Sequence, residues 1–374
     1  MRRPNFDVRK TSQSFYDSVM PKLEIVVLTY RRANLLRRCL QSLELSAAKA
    51  SSRVRTIVVV NGEDAETSAE LVRLANELGS LEIEIVESDQ RLPCGFARNA
   101  GVERCSGDWI YFADDDAWVS EDFMDTFGAT IARDPGLVVI GGPNVTAPTM
   151  TDFQKIAGRV LGSRLAAGPF SRRYRSGGEI TTVDDDHALI LCNLFVKRSA
   201  LADYRFPAEL SCAEENHMLH FLDTQVPGEA KIFHPGLAVF HERAHDFTRF
   251  ASSALRYGRG RGELIAIDGW SVASSRLVLM ALIVASIAVV ILPIAWLGSY
   301  FAVVALNGMA IALRAKSLRA LALAPLLTLA LHLLYPMGVV IGILQTPSKS
   351  LRTMSAPILA LAEARSSRRA RRRD

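Results

Sequence analysis

The segment Asp108-Trp-Ile-Tyr-Phe-Ala-Asp-Asp-Asp116 places three consecutive carboxylates at the end of an apolar strand. Adjacent carboxylates repel one another unless a cation joins them, and ligand sets made of oxygen atoms favour Mg²⁺ or Mn²⁺. An acidic turn, or the cap of the helix-like stretch that follows, is the alternative explanation. The position of the run at the carboxyl end of a strand favours a ligand site.

The sequence around this run alternates short β-branched strands with helical patterns. These elements are predicted at 23–29 (strand), 34–45 (helix), 56–61 (strand), 67–78 (helix), 81–86 (strand), from about 95 (helix) and at 121–133 (helix). Apolar strands separated by amphipathic helices predict an α/β, Rossmann-like fold with a mostly parallel sheet and helices on both faces. Because ligands bind at the carboxyl ends of such strands, one crevice should be faced by Thr29, Asn61, Asp89 and Asp114.

The composition excludes several other classes of protein. The chain has 374 residues, of which 49% are hydrophobic, so a sizeable core is expected. Its five cysteines include no Cys-x-x-Cys pair, which argues against a disulfide framework or a zinc site and favours a reducing compartment. No signal peptide is indicated. The basic carboxyl-terminal tail lacks the patterns of nucleic-acid binding, so we expect no nucleic-acid partner.

The carboxyl-terminal part of the chain has the composition of membrane helices. No charged residue occurs from Leu277 through Leu313, which is too long for one crossing, so a tight hairpin is expected near 293–299. The segment 320–344 is long enough to cross alone, and its Gly338-x-x-x-Gly342 spacing either allows close helix contact or is a chance glycine pair. The basic loop 314–319 and the basic tail both favour the cytosol, but three crossings would place them on opposite sides of the membrane. One segment is therefore re-entrant, interfacial or miscounted. We expect two to four membrane-embedded segments.

Five motifs follow one another in a characteristic order. They are Leu28-Thr-Tyr-Arg-Arg32, Gly95-Phe-Ala-Arg-Asn-Ala-Gly101, Phe112-Ala-Asp-Asp-Asp116, Cys212-Ala-Glu-Glu-Asn216 and Val239-Phe-His-Glu-Arg243. Together they resemble the motifs of family 2 glycosyltransferases with the GT-A fold, over about residues 22–262. The pieces Gly141-Gly-Pro-Asn144, Leu191-Cys-Asn-Leu194 and Tyr257-Gly-Arg-Gly-Arg261 are similar to bacterial membrane-associated exopolysaccharide glycosyltransferases.

The resemblance implies inverting transfer from a UDP-, GDP- or dTDP-linked sugar, assisted by Mg²⁺ or Mn²⁺. It implies that Asp116 ligates the metal directly. It also implies that Asp114 contacts the donor ribose or binds the metal through water. Asp115 would line the donor site, and His241 would lie near the metal. Such a cation offsets the negative charge that grows on the departing diphosphate.

The resemblance also assigns residues that bind the donor. Thr29, Tyr30 and Arg31 stand where the family cradles the base and ribose, although members often have Asn in place of Arg31. Asn61 replaces the usual base-reading Asp, and its amide offers a donor and an acceptor. Arg98, at a helix start, would pair with a phosphate; the structural alternative is that it bridges carboxylates.

Inversion requires a base for the acceptor hydroxyl, and Glu214 and Glu215 supply two carboxylates at a helix start. The family usually has Glu-Asp here, so Glu215 aligns with the base and Glu214 with its neighbour. The alternative is a charged helix start that the dipole favours. Which carboxylate is the base stays open.

The acceptor is expected to be lipid-linked or a glycan. The arginines available for its phosphates are Arg172, Arg173, Arg175, Arg259 and Arg261. The second acidic run, 184–187, is expected to be a solvated loop, and the alternative is an edge of the acceptor site. The resulting division is an extension (1–21), a nucleotide-sugar-binding half (22–145), an acceptor-binding half (146–270), membrane-embedded helices (271–346) and a basic tail (347–374).

These features predict a multi-pass protein of the inner (plasma) membrane, in contact with its lipids and with a cytoplasmic catalytic domain. A processive polysaccharide synthase is the nearest rival, although its Gln-x-x-Arg-Trp motif is absent. The other rivals are a catalytically silent nucleotide-sugar-binding membrane scaffold and a metal-dependent hydrolase.

Overall fold

The computed structural model describes residues 21–184, 186–269 and 294–346. Strands β1 to β11 span Leu23–Thr29, Val54–Asn61, Leu81–Ser88, Trp109–Asp114, Ala117–Val119, Val139–Gly141, Asn144–Val145, Thr181–Thr182, Asn193–Lys197, Lys231–Phe233 and Val239–His241. Helices α1 to α10 span Ala33–Lys49, Ala65–Glu77, Cys94–Val102, Phe123–Arg133, Asp152–Leu161, Arg164–Ala167, Glu214–Asp223, Phe247–Asp268, Ile294–Ala315 and Arg319–Gln345. Residues 1–20, 270–293 and 347–374, which include the extension, the first arm of the expected hairpin and the basic tail, lie outside the described residues.

Eight strands form one sheet in the order β3-β2-β1-β4-β9-β6-β10-β8. The pairs among β1 to β4 are parallel, and β9 is inserted antiparallel between β4 and β6. The expected α/β fold class is thereby confirmed. Because β9 follows residue 146 in the chain and β4 and β6 precede it, one continuous sheet joins the two expected halves.

The two faces of this sheet are covered by separate sets of helices. Side chains alternate along β1, so that Ile25 packs with Leu36 and Leu40 of α1, whereas Val26 packs with Ala97 of α3 on the other face. All of these side chains are buried. Burial on both faces explains why β1 reads as a continuous apolar run rather than an alternating one.

The chain after the acidic run differs from the prediction. A turn and the short strand β5 follow Asp116, and helix α4 begins only at Phe123. β5 joins β11 and β7 in a second, three-stranded sheet. The helix predicted at 121–133 is thus observed as α4, but it does not follow the run directly, because residues 117–119 pair with β11. We call the part of the chain from 21 to 269, which holds both sheets, the sheet domain.

Helices α9 and α10 form a hairpin beside the sheet domain. Both are long and apolar enough to cross a membrane, over Leu297–Ala315 and Arg319–Gln345. The expected turn at 293–299 is wrong for residues 294–299, which are helical. The chain turns instead at 316–318, where Lys316 adopts a left-handed backbone conformation with φ 51°.

Candidate active site

The acidic run lies at the carboxyl end of β4, beside the end of β1. Asp115 is buried, and its carboxylate accepts hydrogen bonds from the Thr29 hydroxyl at 2.8 Å and from Arg32 Nη1 at 3.2 Å. Arg32 Nη1 also donates to Asp116 Oδ2 at 2.9 Å. Burial and the charge of Asp116 raise the pKa of Asp115 to about 7, although Arg32 opposes the shift. One guanidinium thus serves two carboxylates.

His241 lies beside Asp116 because the pairing of β11 with β5 sets His241 opposite Ala117. Its Nε2 is 3.3 Å from Asp116 Oδ1. Its Nδ1 is 2.8 Å from the carbonyl oxygen of Glu242, which can only accept a hydrogen bond. Nδ1 of the neutral ring therefore carries the proton, and Nε2 keeps its lone pair toward the acidic run.

A divalent cation fits these residues. Ligand atoms of Asp114, Cys192 and His241 lie within 4.8 Å of one another, and Asp116 is in contact with His241. Carboxylate oxygens with one imidazole nitrogen suit Mn²⁺. Burial raises the pKa of the Cys192 thiol, so this group stays protonated at neutral pH and is a weak ligand.

Arg98 connects the acidic run to the paired glutamates. Its Nη2 donates to Asp114 Oδ1 at 2.6 Å, and its Nη1 is 3.5 Å from Glu214 Oε1. Glu214 can approach because residue 95 is Gly: an added Cβ there would lie 2.7 Å from Glu214 Cγ. Burial raises the pKa of Glu214, although Arg98 opposes the shift. The structural alternative for Arg98, a bridge between carboxylates, is the arrangement observed.

Glu215 belongs to a different, buried network. Its Oε1 accepts from Arg173 Nη1 at 3.1 Å, and Arg173 also donates to the carbonyl groups of Asp186 and His187. Asp186 in turn accepts from Asn216 at 2.9 Å. Asp186 and His187 are both buried, so the expectation of a solvated loop is wrong for them. The reason is that buried cations hold Asp186 inside the protein.

The expected base-binding residues divide into two groups. Asn61 is buried, and its amide both donates to the Leu92 carbonyl at 2.9 Å and accepts from the Leu92 amide at 2.8 Å. Leu92 therefore holds this amide in place, and base recognition by Asn61 stays a prediction. The Tyr30 ring, by contrast, lies under the guanidinium groups of Arg91, at 4.6 Å, and Arg31, at 5.1 Å.

The five arginines expected at the acceptor site also divide. Arg261 is buried with Nη1 2.7 Å from Asp186 Oδ2, and Arg173 is buried against Glu215, so these two are not open to an acceptor phosphate. Arg259 is exposed and pairs with Glu263 at 2.9 Å. A groove of about 310 Å³ is lined by Arg172, Arg175 and a third arginine, Arg164.

The roles of several residues in this region were not predicted from the sequence. Arg32 ends the quoted motif Leu28-Thr-Tyr-Arg-Arg32, but no role was assigned to it, because its contact with the acidic run depends on the pairing of β4 with β1. Cys192 and Asp186 lie in the quoted segments 191–194 and 184–187, but their contacts were not predicted, and Arg91 comes from a loop with no local pattern of its own. Only the spacing of Arg32 to a strand end could have indicated a partner for the acidic run.

Comparison with known proteins identifies the family. Residues 24–205 match the family model described as Glycosyl transferase family 2. The chain is 28% identical over 120 residues to Glycosyltransferase GlyA of Streptococcus pneumoniae and 26% identical over 119 residues to EpsH of Bacillus subtilis. Each alignment covers 32% of this chain, but only 16% of GlyA and 33% of EpsH, so the chain spans a minor part of these curated relatives.

A solved structure shares the fold. The mannosyltransferase PcManGT from Pyrobaculum calidifontis, in complex with GDP-Man and Mn²⁺, is similar with a TM-score of 0.54, 16% identity and 88% of each chain covered. The matched segment contains β1 to β4, β9 and the whole acidic run. Residues 24–205 of this chain therefore form a glycosyl transferase family 2 domain.

Proposed function

We propose that this chain is an inverting glycosyltransferase that moves a sugar from a nucleotide diphosphate sugar to a lipid-linked acceptor. The observation that carries the proposal is Arg98, which lies between Asp114 of the acidic run and Glu214 of the glutamate pair. A donor site and a candidate base are thereby adjacent to each other. A hydrolase or a silent scaffold would not require a second buried carboxylate, Glu214, facing the donor end.

The donor end has groups for each part of a nucleotide sugar. Asp116, Asp114 and His241 would hold Mn²⁺ or Mg²⁺, which when bound neutralises charge on the diphosphate. The Tyr30 ring, with Arg91 above it, offers a stacking surface for a base. PcManGT, whose fold is similar, was solved with GDP-Man and Mn²⁺, which supports a donor of this class.

The base takes the proton of the acceptor hydroxyl as its oxygen bonds to the anomeric carbon, and the bond from that carbon to the diphosphate breaks on the opposite side. The structure favours Glu214, because burial raises its pKa and it faces Asp114 through Arg98. The family pattern favours Glu215, which is held by Arg173.

Two matched variants decide between these carboxylates. Glu214→Gln should lower kcat by about 10²- to 10⁴-fold and remove the acidic limb of the pH profile, whereas Glu215→Gln should mainly lower stability. Rates at saturating donor, pH profiles and melting temperatures would be measured. If Glu215→Gln alone abolished turnover in a stable protein, Glu215 would be the base.

The acceptor assignment is supported by the arginine groove. Arg172 and Arg175 line it, and the carbonyl groups of Leu165 and Ala166 nearby contact His332 of α10 at 3.0 and 3.2 Å. A molecule with a phosphate in this groove would have its other end beside the apolar hairpin. We therefore propose a polyprenyl phosphate or diphosphate glycan as acceptor, at a membrane, with the sheet domain in the cytoplasm.

The test is transfer itself. Nucleotide sugars would be screened by thermal shift with and without Mn²⁺, and the best donor would be assayed with lipid-linked and soluble acceptors. Single additions with inverted anomeric configuration are expected. Long products would favour a processive synthase, and donor binding without transfer or hydrolysis would favour the silent scaffold.

In this proposal the half from 22 to 145 binds the donor, and the half from 146 to 270 binds the acceptor.

A further inference from the structure

Helix α10 contacts the sheet domain along almost its whole length. Near its start, Arg319 Nη1 is 3.8 Å from Asp152 Oδ2. Near its end, a Cβ added at Gly342 would lie 2.1 Å from the Arg259 carbonyl. These contacts are separated by about 35 Å at 1.5 Å per residue, which is longer than the roughly 30 Å of a bilayer's hydrocarbon core.

Helix α8 of the sheet domain runs beside α10 in the same direction. A Cβ at Gly258 would lie 2.0 Å from the Tyr335 carbonyl, and a Cβ at Gly262 would lie 2.1 Å from the Val339 carbonyl. A step of four residues on one helix thus matches a step of four on the other. The glycines allow backbone contact, so α8 cannot lie at a different depth from α10. The close contact expected for the Gly338-x-x-x-Gly342 spacing is confirmed.

The exposed charges of α8 disfavour a crossing by α10. The helix carries Arg249, Arg256, Arg259, Arg261 and Glu263 within its contact region. Both Arg256 and Arg259 are exposed. If α10 spanned the bilayer, the exposed Arg256 and Arg259 would lie at hydrocarbon depth, where one charge costs about 2.5–3.5 kcal/mol at the centre of the bilayer.

The opposite face of the hairpin is apolar and uncovered in the described part of the chain. Leu306, Leu313, Leu333 and Leu344 are 60%, 72%, 64% and 78% exposed. The turn between α9 and α10 and the helix ends beside it hold basic residues at 314, 316 and 319. An apolar face beside a basic rim matches the acyl layer and anionic headgroups of a lipid surface.

We propose that α9 and α10 form an in-plane hairpin, which lies in one leaflet under the sheet domain and does not cross the membrane. Lipid covers the exposed face of this hairpin: acyl chains contact the leucine face, and anionic headgroups contact the basic turn. The inference concerns these two helices and does not depend on the proposed transfer reaction. It replaces the expected multi-pass arrangement for residues 294–346.

Labelling of the two ends of α10 tests the arrangement. Leu318→Cys and Gln345→Cys are made one at a time in the full chain, which is reconstituted in vesicles of phosphatidylglycerol and phosphatidylethanolamine. A membrane-impermeant maleimide is applied outside, and mass spectrometry compares each site with exposed Cys94 on the sheet domain. Both ends should react from the same side as Cys94. Reaction of either end only with reagent trapped on the other side would overturn the proposal.

A second measurement tests the occupant of the leucine face. The double variant Leu306→Asp/Leu333→Asp should lower vesicle binding by about tenfold or more, since buried aspartate is strongly disfavoured. The matched control is Leu45→Asp, an exposed leucine on α1 that is 57% accessible, which should leave binding unchanged. Unchanged vesicle binding by the double variant, or loss of a dimer in its place, would overturn the assignment to lipid.

Discussion

The two ends of the central strands hold buried carboxylates whose pKa values are shifted in opposite directions. At the amino end of β1, Glu24 accepts from the backbone amide of Gly107 at 2.8 Å and from Arg55 at 2.9 Å. Burial alone would raise the pKa of Glu24, but these donors lower it to about 2. At the carboxyl end, burial and Asp116 raise the pKa of Asp115 to about 7.

This difference in pKa distinguishes Glu24, which stabilises the fold, from the acidic run, which is a candidate ligand site. Glu24 has enough donors for its oxygens, so its charge is fully compensated in the folded protein. The acidic run has three carboxylates that share Arg32 and Arg98. This deficit of positive charge favours a bound cation, and it lies at the end of the sheet where ligands bind.

The largest expected effect is on the acidic run, where a substitution should reduce transfer severely without lowering stability. Asp116→Asn should lower the transfer rate by about 10²- to 10³-fold, because it removes a ligand of the cation that offsets developing charge. It should not destabilise the protein, because it also relieves repulsion within the run. Turnover and thermal unfolding would be compared with Asp122→Asn, an exposed control with 72% side-chain accessibility.

The amino end should show the reverse behaviour. Glu24→Gln should lower the free energy of unfolding at pH 7 by about 3 kcal/mol, since a pKa of about 2 lies well below the reference of 4.5. A depressed pKa stabilises above pH 4.5, and this contribution is lost as the pH falls from 4.5 to 2. Denaturant unfolding across that range should be flatter for the variant than for the wild type.

Its control is Glu82→Gln, an exposed glutamate on the same sheet, which should keep the wild-type pH dependence. An equal change of stability in both variants would mean that Glu24 is not specially held. Specific transfer activity at pH 7 should be retained by Glu24→Gln, because this residue is at the far end of β1 from Thr29.

The sequence predicted features that depend on neighbouring residues, but not those that depend on contacts between residues far apart in the chain. Strands β1 to β4 and the acidic run were predictable, because hydrophobic runs and strand ends are local patterns. The insertion of β9 between β4 and β6 was not, since an antiparallel pairing of distant segments leaves no local pattern. The contact of Asn61 with Leu92 was not predictable for the same reason, because the two residues are 31 positions apart.

The glutamate pair shows the same limit at the candidate site. Its place at a helix start was predictable, and α7 begins at Glu214. Which glutamate faces the acidic run depends on Arg98 and Arg173, whose positions are fixed by tertiary packing. The proposed in-plane position of α9 and α10 shows the same limit, since hydropathy measures length and composition but not which face of a helix is already covered.

A smaller effect would sharpen the comparison through the cation itself. Mn²⁺ at 100 times its dissociation constant should stabilise the wild type by about 2.7 kcal/mol, because it binds only the folded protein. Melting temperatures with Mn²⁺ or with chelator measure this difference. Asp116→Asn should lose most of the response, whereas Glu24→Gln should keep it at a lower melting temperature. An equal response in Asp116→Asn would place the cation elsewhere.

The smallest expected effect concerns Arg32, whose side chain is 51% exposed. Without metal, Arg32→Gln should lower the free energy of unfolding by at most about 1 kcal/mol, as for other exposed ion pairs. With Mn²⁺ the sign should reverse, because the variant no longer has a guanidinium competing for Asp116 and should bind the cation more tightly. Titration with Mn²⁺ while unfolding is followed would show the two curves crossing. If Arg32→Gln were less stable at every Mn²⁺ concentration, Arg32 would be a structural partner like Arg55, and the two ends of β1 would differ less than the pKa values imply.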